Sequence, residues 1–389
     1  MMALEGIRIL DMAHLPPARY GTMLLADFGA DVICIEQPPG ASRLGDVDGS
    51  DRARVFNPLN RNKRFICLNL KDEEGRQAFY RLVETADVLV EGFRPGVTKR
   101  LGADYETLRQ INPRLIYTSL SGYGQDGPYA SLVGHDINYI SIGGALGMIG
   151  WPGQPPAIPV NIIADFAGGG LHMAFSILLA LQARQRTGRG QYVDVAMTDG
   201  VLSLISWLAS FYLGEGNVIR PGQEFLNGGT PFYNVYETAD GRWISIGCVE
   251  GWFWENLCRA LGFEEYIPHQ WSKERYPEIF ENFRRRFKER TREEWFQYLS
   301  QHEVCVGPVY SLDEVFEDPQ VRHRRMVLEL EHPQMGRVRH VGIGPKLSET
   351  PGSVRSVEVQ RGQHTDQLLS ELGYSAEEVR RLRERGAVA

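Results

Sequence analysis

Through the first half of the chain, short apolar runs alternate with stretches whose apolar residues recur every three to four positions. The runs at residues 7–12 and 30–36 (ADVICIE) have strand character. A helical pattern over 19–28, entered through Pro16-Pro17, lies between them. The same rhythm continues with a helix over 72–85, a strand over 87–91, a helix over 105–112 and a strand over 114–119. No hairpin turn joins successive strands, so each must return by a crossover, which predicts parallel βαβ units with helices covering the sheet. An apolar helix over 166–184 follows, then a basic Gly turn at 186–191, a strand over 192–196 and another apolar helix beyond Asp199.

The rhythm breaks at residues 214–229, a stretch rich in Gly, Asn and Pro. Beyond it lie a β-rich piece at 231–249 and helices rich in Trp, Phe, Lys and Arg to about residue 303. A polar, turn-rich tail ends in a charged helix at 375–385. At 389 residues the chain suits two cores. The expected architecture is α/β, with a large parallel-sheet domain of Rossmann-like character over 1–200, completed by 330–389, and a smaller α+β domain over 225–305. Residues 201–224 and 306–329 are expected to link them.

Composition narrows the function classes. Apolar residues at 43% and charged residues at 23% are ordinary globular values, which disfavours disorder. A net charge of −7 lacks the basic field that displaces phosphate counterions, so no nucleic acid partner is expected. A local basic pocket for one small anion stays open. Cys34, Cys67, Cys248, Cys258 and Cys305 are odd in number and never spaced CxxC, the pattern of reduced thiols in a cytoplasmic protein. The start, MMALEGIRILDMAHLPPARYG, has no basic segment followed by an apolar one, so a secretory signal is not expected. The most apolar run, 201–213, is interrupted by Ser203, Ser206 and Ser210 and falls short of the ~20 residues that span a bilayer. It reads as a buried helix, and no membrane partner is expected.

Gly122, Gly124 and Gly127 match GxGxxG after a predicted strand. A dinucleotide site also needs a helix to begin there, so that its amides meet the pyrophosphate. Pro128 and further turn residues follow instead. P-loop, GxSxG and HExxH patterns are absent, and the nine histidines are too dispersed to suggest a metal site. No metal is expected.

Two other segments carry chemistry. One is Gly134-His135-Asp136-Ile137-Asn138-Tyr139, after a Gly/Pro-rich loop; the other, NIIADFAGGG at 161–170, opens the apolar helix. Asp165 reads as the N-cap of that helix, a role compatible with catalysis. Gly168, Gly169 and Gly170 each cost roughly 1 kcal/mol against Ala in a helix. Something must therefore pack where a side chain would lie, either backbone or a ligand's thioester. A His beside an Asp is by itself an ordinary hydrogen-bonded pair, whereas a His with a second carboxylate makes an acid/base set. Arg61, Lys63, Arg64, Arg94, Lys99 and Arg100 offer charge suited to phosphates, or a solvated basic face. Tyr139, Phe232, Tyr233, Trp252 and Trp254 suit an acyl or coenzyme site, or simply a core.

Taken together these strings resemble the type III CoA-transferase (CaiB/BaiF) family, and GHDINY and ADFAGGG are most similar to its 2-methylacyl-CoA racemases. LEGIRILDM, GADVICIEQP, RNKRFICLNLK, EGFRPGVTKRLG, TGRGQYVDVAMTDG, GGTPFYNVYETADG and GQHTDQLLSELGYS extend the likeness over essentially the whole chain, in family order. The resemblance implies that His135 and Asp165 are the acid/base pair and that Glu250 and Asp136 support His135. It also implies that the segments around 61–64 and 94–99 hold coenzyme A phosphates, with an acyl-CoA substrate and no cofactor beyond its CoA moiety. Interlocked homodimers are implied as well, with active sites between the large domain of one subunit and the small domain of the other.

Two reactions are compatible with the resemblance. One is inversion at the α-carbon of a 2-methyl-branched or otherwise α-substituted acyl-CoA. The other is CoA transfer between carboxylic acids, with Asp165 as nucleophile. His135 favours proton transfer, whereas Gly228-Gly229 resembles the glycine loop of the transferases. The chain also reads LNGGTP and Val249-Glu250-Gly251 where the racemases usually have LDGGAP and IEP.

Overall fold

The computed structural model describes residues 1–38, 51–357 and 360–389. These fall into two compact units. Met1–Gly143, Pro159–Leu204 and Pro319–Ala389 form one; Gly144–Ile158 and Ile205–Asp318 form the other.

In the first unit, β1 (Arg8–Asp11), β2 (Asp31–Glu36), β3 (Lys63–Cys67), β4 (Val88–Glu91), β5 (Ile116–Ser121) and β6 (Tyr192–Ala196) make one sheet. All neighbours pair in parallel, in the order β3-β2-β1-β4-β5-β6. The strand order reverses between β1 and β4, which opens a crevice at the carboxyl ends of the strands. Every residue of β4 is buried, as a strand covered on both faces requires. Five of the six strands lie where the apolar pattern places them. The exception, β3, opens with Lys63-Arg64 and looks like part of a basic surface. From the tail, Leu368, Leu369 and Leu382 join Leu10, Ile33 and Phe79 in the core.

Residues 162–187 form one apolar helix, π-helical over Ile162–Leu171 and α-helical over His172–Thr187. By length and composition alone it is apolar enough to cross a bilayer. Gly168 and Gly170 meet backbone, and Gly169 the Met197 side chain, rather than open space. A Cβ on Gly170 would stand 2.3 Å from the Pro17 carbonyl oxygen, and one on Gly200 would stand 2.0 Å from that of Gly168. The π-helix is thus pinched between the helices Pro16–Asp27 and Met197–Leu204. Gly200→Ala would gain about 1 kcal/mol in helix propensity. A methyl group driven into a backbone oxygen costs more, about 1–3 kcal/mol. The net effect expected in a thermal melt is a Tm lower by up to about 4 °C; a higher Tm would contradict this packing.

The run at 201–213 is not the buried helix its composition suggests. It breaks at Ile205, and the second piece, Ser206–Glu215, has no buried residue. Trp207 is 57% exposed and Leu213 80% exposed.

The second unit holds β7 (Tyr233–Glu237), β8 (Trp243–Gly247) and β9 (Val306–Pro308) in an antiparallel sheet of that order. Phe232, Trp254, Phe283, Phe287 and Trp295 fill its core. Phe232 and Trp254 are therefore core residues, while Trp252 stays exposed. β9 lies in the stretch expected to be a linker. Its Pro308 has no N–H to donate and is tolerated because the strand is at the sheet edge. A hairpin, β10 (Val327–His332) with β11 (Gly336–Val341), belongs to the first unit.

Candidate active site

Gly122 follows β5 because the ring of Tyr139 occupies the place of its side chain. A Cβ there would lie 2.2 Å from Tyr139 Cε1. This is the physical reason for the first glycine of the GxGxxG string, and no helix starts beside it. Tyr139 in turn anchors the short helix Asp136–Ile142. Its hydroxyl donates to the Gly134 carbonyl at 2.5 Å, and its ring meets that of Tyr123 edge-on at 5.1 Å. His135 precedes the first turn in extended conformation, its backbone N–H donated to Asn138 Oδ1 at 3.0 Å and its side chain exposed. Asp136 turns inward and is buried. Its Oδ2 accepts the backbone N–H groups of Ala164 and Asp165, each at 2.8 Å.

Asp165 is not an N-cap. Asn161 precedes the helix, and Asp165 lies within its first turn, in a stretch of π geometry that is uncommon and recurs at functional sites. Asn161 Nδ2 donates to Asp165 Oδ2 at 3.1 Å. Burial pushes the Asp165 carboxyl above its ordinary range; the Asn161 hydrogen bond opposes that shift, the Asp136 charge adds to it and His135 opposes it. Burial likewise pushes the Tyr139 phenol up to about 12, with Tyr123 and Asp165 adding and Arg94 subtracting. His135, Asp136, Asp165, Tyr139 and Arg94 therefore form one electrostatically linked cluster in the first unit.

Three of the five expected phosphate ligands are committed elsewhere. Arg61 is buried and forks onto Asp27 at 3.0 and 2.6 Å, with its remaining nitrogen on the Val341 carbonyl at 2.6 Å. Lys63 is buried too, donating to Thr22 Oγ1 at 2.7 Å and the Arg19 carbonyl at 3.0 Å, with Asp11 at 3.4 Å. Arg64 forks onto Asp31 and reaches Glu371 at 2.8 Å. A buried charge keeps such partners because losing one costs about 3–5 kcal/mol. Arg94 and Lys99 are exposed, and neither has a carboxylate partner among the described residues.

The sequence matches CoA-transferase family III over residues 4–365. The chain belongs to that family. Alpha-methylacyl-CoA racemase of Homo sapiens is 38% identical over 387 residues, covering 98% of this chain and 96% of that one. Formyl-CoA:oxalate CoA-transferase of Rhodopseudomonas palustris is 34% identical over 421 residues, covering 99% and 97%. A solved CAIB/BAIF family protein from Brucella suis aligns with TM-score 0.79 at 28% identity, over 95% of this chain and 99% of that one. The large parallel sheet and the small antiparallel sheet agree with that fold. Racemase and transferase relatives both span the whole chain, so family membership does not choose between their reactions.

Two further features complete the description of this family III chain. Glu250 is exposed in the second unit, before the first turn of the helix Gly251–Leu261. In the first unit, Met12, Ile35, Glu36, Leu68, Leu70 and Phe93 line the crevice where the strand order reverses. Glu36 is buried, with Oε1 on Arg54 at 2.9 Å and Oε2 without a partner among the described residues. Sequence reading passes over this acid and over Asn161. The only available signals were the position of Glu36 at the end of a strand and the i, i+4 spacing of Asn161 to Asp165.

Proposed function

We propose that this family III protein is an acyl-CoA racemase. It inverts the α-carbon of a 2-methyl-branched or otherwise α-substituted acyl-CoA by passing a proton between His135 and Asp165 through an enolate. The observation that carries this reading is a half-buried carboxyl, Asp165, whose backbone is tied by hydrogen bond to Asp136, the residue next to the exposed His135; burial raises the proton affinity of that carboxyl. The α-proton of a thioester is weakly acidic. Inversion needs one group to remove it from one face of the carbon and another to deliver a proton to the opposite face. A neutral imidazole and a carboxylic acid can do this and exchange roles when the reaction reverses. A carboxyl shifted upward toward the working pH serves both roles better than an ordinary one. Such acid–base help supplies about 10²–10⁴-fold, and stabilisation of the enolate oxygen must supply much of the rest. Proton transfer between these side chains requires no cofactor beyond the CoA moiety of the substrate.

The nucleotide end of the substrate suits the crevice at the strand-order reversal, where open α/β sheets bind ligands. Arg94 follows Phe93 in its lining, and Lys99 lies on the short helix whose Leu101 lines it as well. Both cations are exposed, which supports a role for them with phosphates.

The transferase relatives support a second reading. The Asp165 carboxylate would attack the thioester carbonyl and expel the CoA thiolate, leaving a mixed anhydride. The thiolate would then attack the Asp165 carbonyl, releasing the first acid and leaving an aspartyl-CoA thioester for the second acid. Incubation of a 2-methylacyl-CoA in D₂O, with no carboxylic acid added, separates the two. The expected result is α-deuterium incorporation with loss of optical purity. No exchange at high enzyme concentration would overturn the racemase reading for that substrate and turn the search to donor–acceptor pairs.

We further propose that the chain works in the cytoplasm as a homodimer. Leu171, Phe175, Leu178 and Leu179 form an exposed stripe on one helix, and Ser206–Glu215 has no buried residue. Apolar surface of this extent favours cover by a second copy. A folded monomer in light scattering at low protein concentration would overturn this.

A further inference from the structure

The family resemblance gives Asp136 to His135 as a supporting partner, but its carboxylate goes elsewhere. Among the described residues no hydrogen bond joins it to the imidazole. Oδ2 instead takes the N–H groups of Ala164 and Asp165, two of the amides that the start of a helix leaves without internal partners. Oδ1 is buried and has no partner among the described residues. An orphaned buried acceptor costs about 1–3 kcal/mol. An asparagine in the same place would grip both amides without bringing a buried charge close to a second carboxylate. The charge itself is therefore the feature to explain.

We infer that Asp136 is the positioning residue of Asp165: one oxygen clamps the backbone that carries Asp165, and its buried charge acts on that carboxyl. The inference rests on the proton-transfer reading above. The groups acting on the Asp165 carboxyl are Asp136 and His135 from the neighbouring segment and Asn161, which precedes its own helix. The Tyr139 phenol feels both the Asp165 charge and that of Arg94. Of the charged groups, Asp136 favours the protonated carboxyl and His135 the ionised one.

Asp136→Asn retains an oxygen for both amides and removes the charge, so Asp165 should lose its proton at lower pH. When Asp165 acts as base, the rate falls below its pKa, so the acid limb moves to lower pH. When it acts as acid, the rate falls above its pKa, so the alkaline limb moves to lower pH for the opposite enantiomer. Asp136→Ala removes the clamp as well.

The decisive measurement is a ¹³C NMR titration of the Asp165 carboxyl in substrate-free enzyme, identified by its loss in Asp165→Asn, alongside pH profiles of α-proton exchange. In Asp136→Asn the midpoint is expected to fall by about one pH unit. Its kcat at the displaced optimum should stay within about tenfold of the parent. Asp136→Ala should lose about 10²-fold in kcat, because the carboxyl is no longer held in place. An unmoved midpoint in Asp136→Asn, or a displaced His135 limb instead, would overturn the assignment. The NMR shift present in a parent enzyme that performs no exchange would sink the racemase reading and leave the electrostatic role of Asp136 standing.

Discussion

In D₂O, His135→Ala is expected to leave one enantiomer of the substrate exchanging its α-proton without inversion, while the other neither exchanges nor inverts. With the imidazole gone, Asp165 still removes a proton from the face it commands and returns deuterium to that face. Nothing remains to deliver a proton to the opposite face, so inversion should fall by about 10²–10⁴-fold, the usual worth of a positioned acid or base. The fold should be indifferent to the change. The His135 side chain is exposed, and it is the backbone N–H of His135, which the substitution keeps, that donates to Asn138 Oδ1. Affinity for CoA itself should likewise be retained, since the imidazole is given no role with the nucleotide. Exchange assays on each pure enantiomer, with CoA binding measured in parallel, check all of this. Equal loss of exchange for both enantiomers would sink the two-face arrangement. CoA transfer surviving in this variant would favour the second reading, which has no obligatory opposite-face base.

The parts of the molecule legible in sequence are those whose cause is local. β1, β2, β4, β5 and β6 carry their own apolar runs, and the helices between them carry their own period. β3 has a run as well, Phe65 to Leu68, but it opens with two cations, and Lys63 is buried only through Asp11, Thr22 and the Arg19 carbonyl, all far from it along the chain. The same remoteness hides the commitment of Arg61 to Asp27. A basic string cannot show whether its charges face solvent, phosphate or a buried carboxylate. The triple glycine left two readings open, and the carbonyl oxygens of Pro17 and Met197 decide it in favour of backbone packing.

At the site, sequence singled out His135, Asp136 and Asp165, which the fold brings together. It did not reveal that Asp136 turns away from its neighbour toward two amides about thirty residues on. Nor did it reveal the π geometry that draws Asp165 inside the helix. A propensity scale sees neither, because both arise where one helix start meets another. The Ser206–Glu215 helix is the converse case: its composition signals burial, and the described residues of one chain leave none of it buried.

Asp165→Asn carries the larger loss and should also leave the protein no less stable. Both candidate reactions need this carboxyl, as acid and base in one and as nucleophile in the other. The amide can neither take a proton at neutral pH nor form the anhydride, so inversion and transfer should both fall by about 10⁴-fold or more. The substitution is isosteric, and its oxygen can still accept from Asn161. For stability the sign is fixed by the upward shift from the ordinary value of 3.8. The folded chain holds the proton more tightly than the unfolded chain, so the contribution of this group is full below 3.8 and is lost as pH rises through the folded pKa. At neutral pH the ionised carboxyl therefore weighs against the fold, modestly, because the group is half-buried and solvent screens it. Asp165→Asn removes that penalty. Its Tm should equal or exceed that of the parent at neutral pH, with the difference closing as the pH falls. A lower Tm at neutral pH would show instead that the charge holds the helix start together. A residue whose loss ends activity and costs the fold nothing is one retained for chemistry.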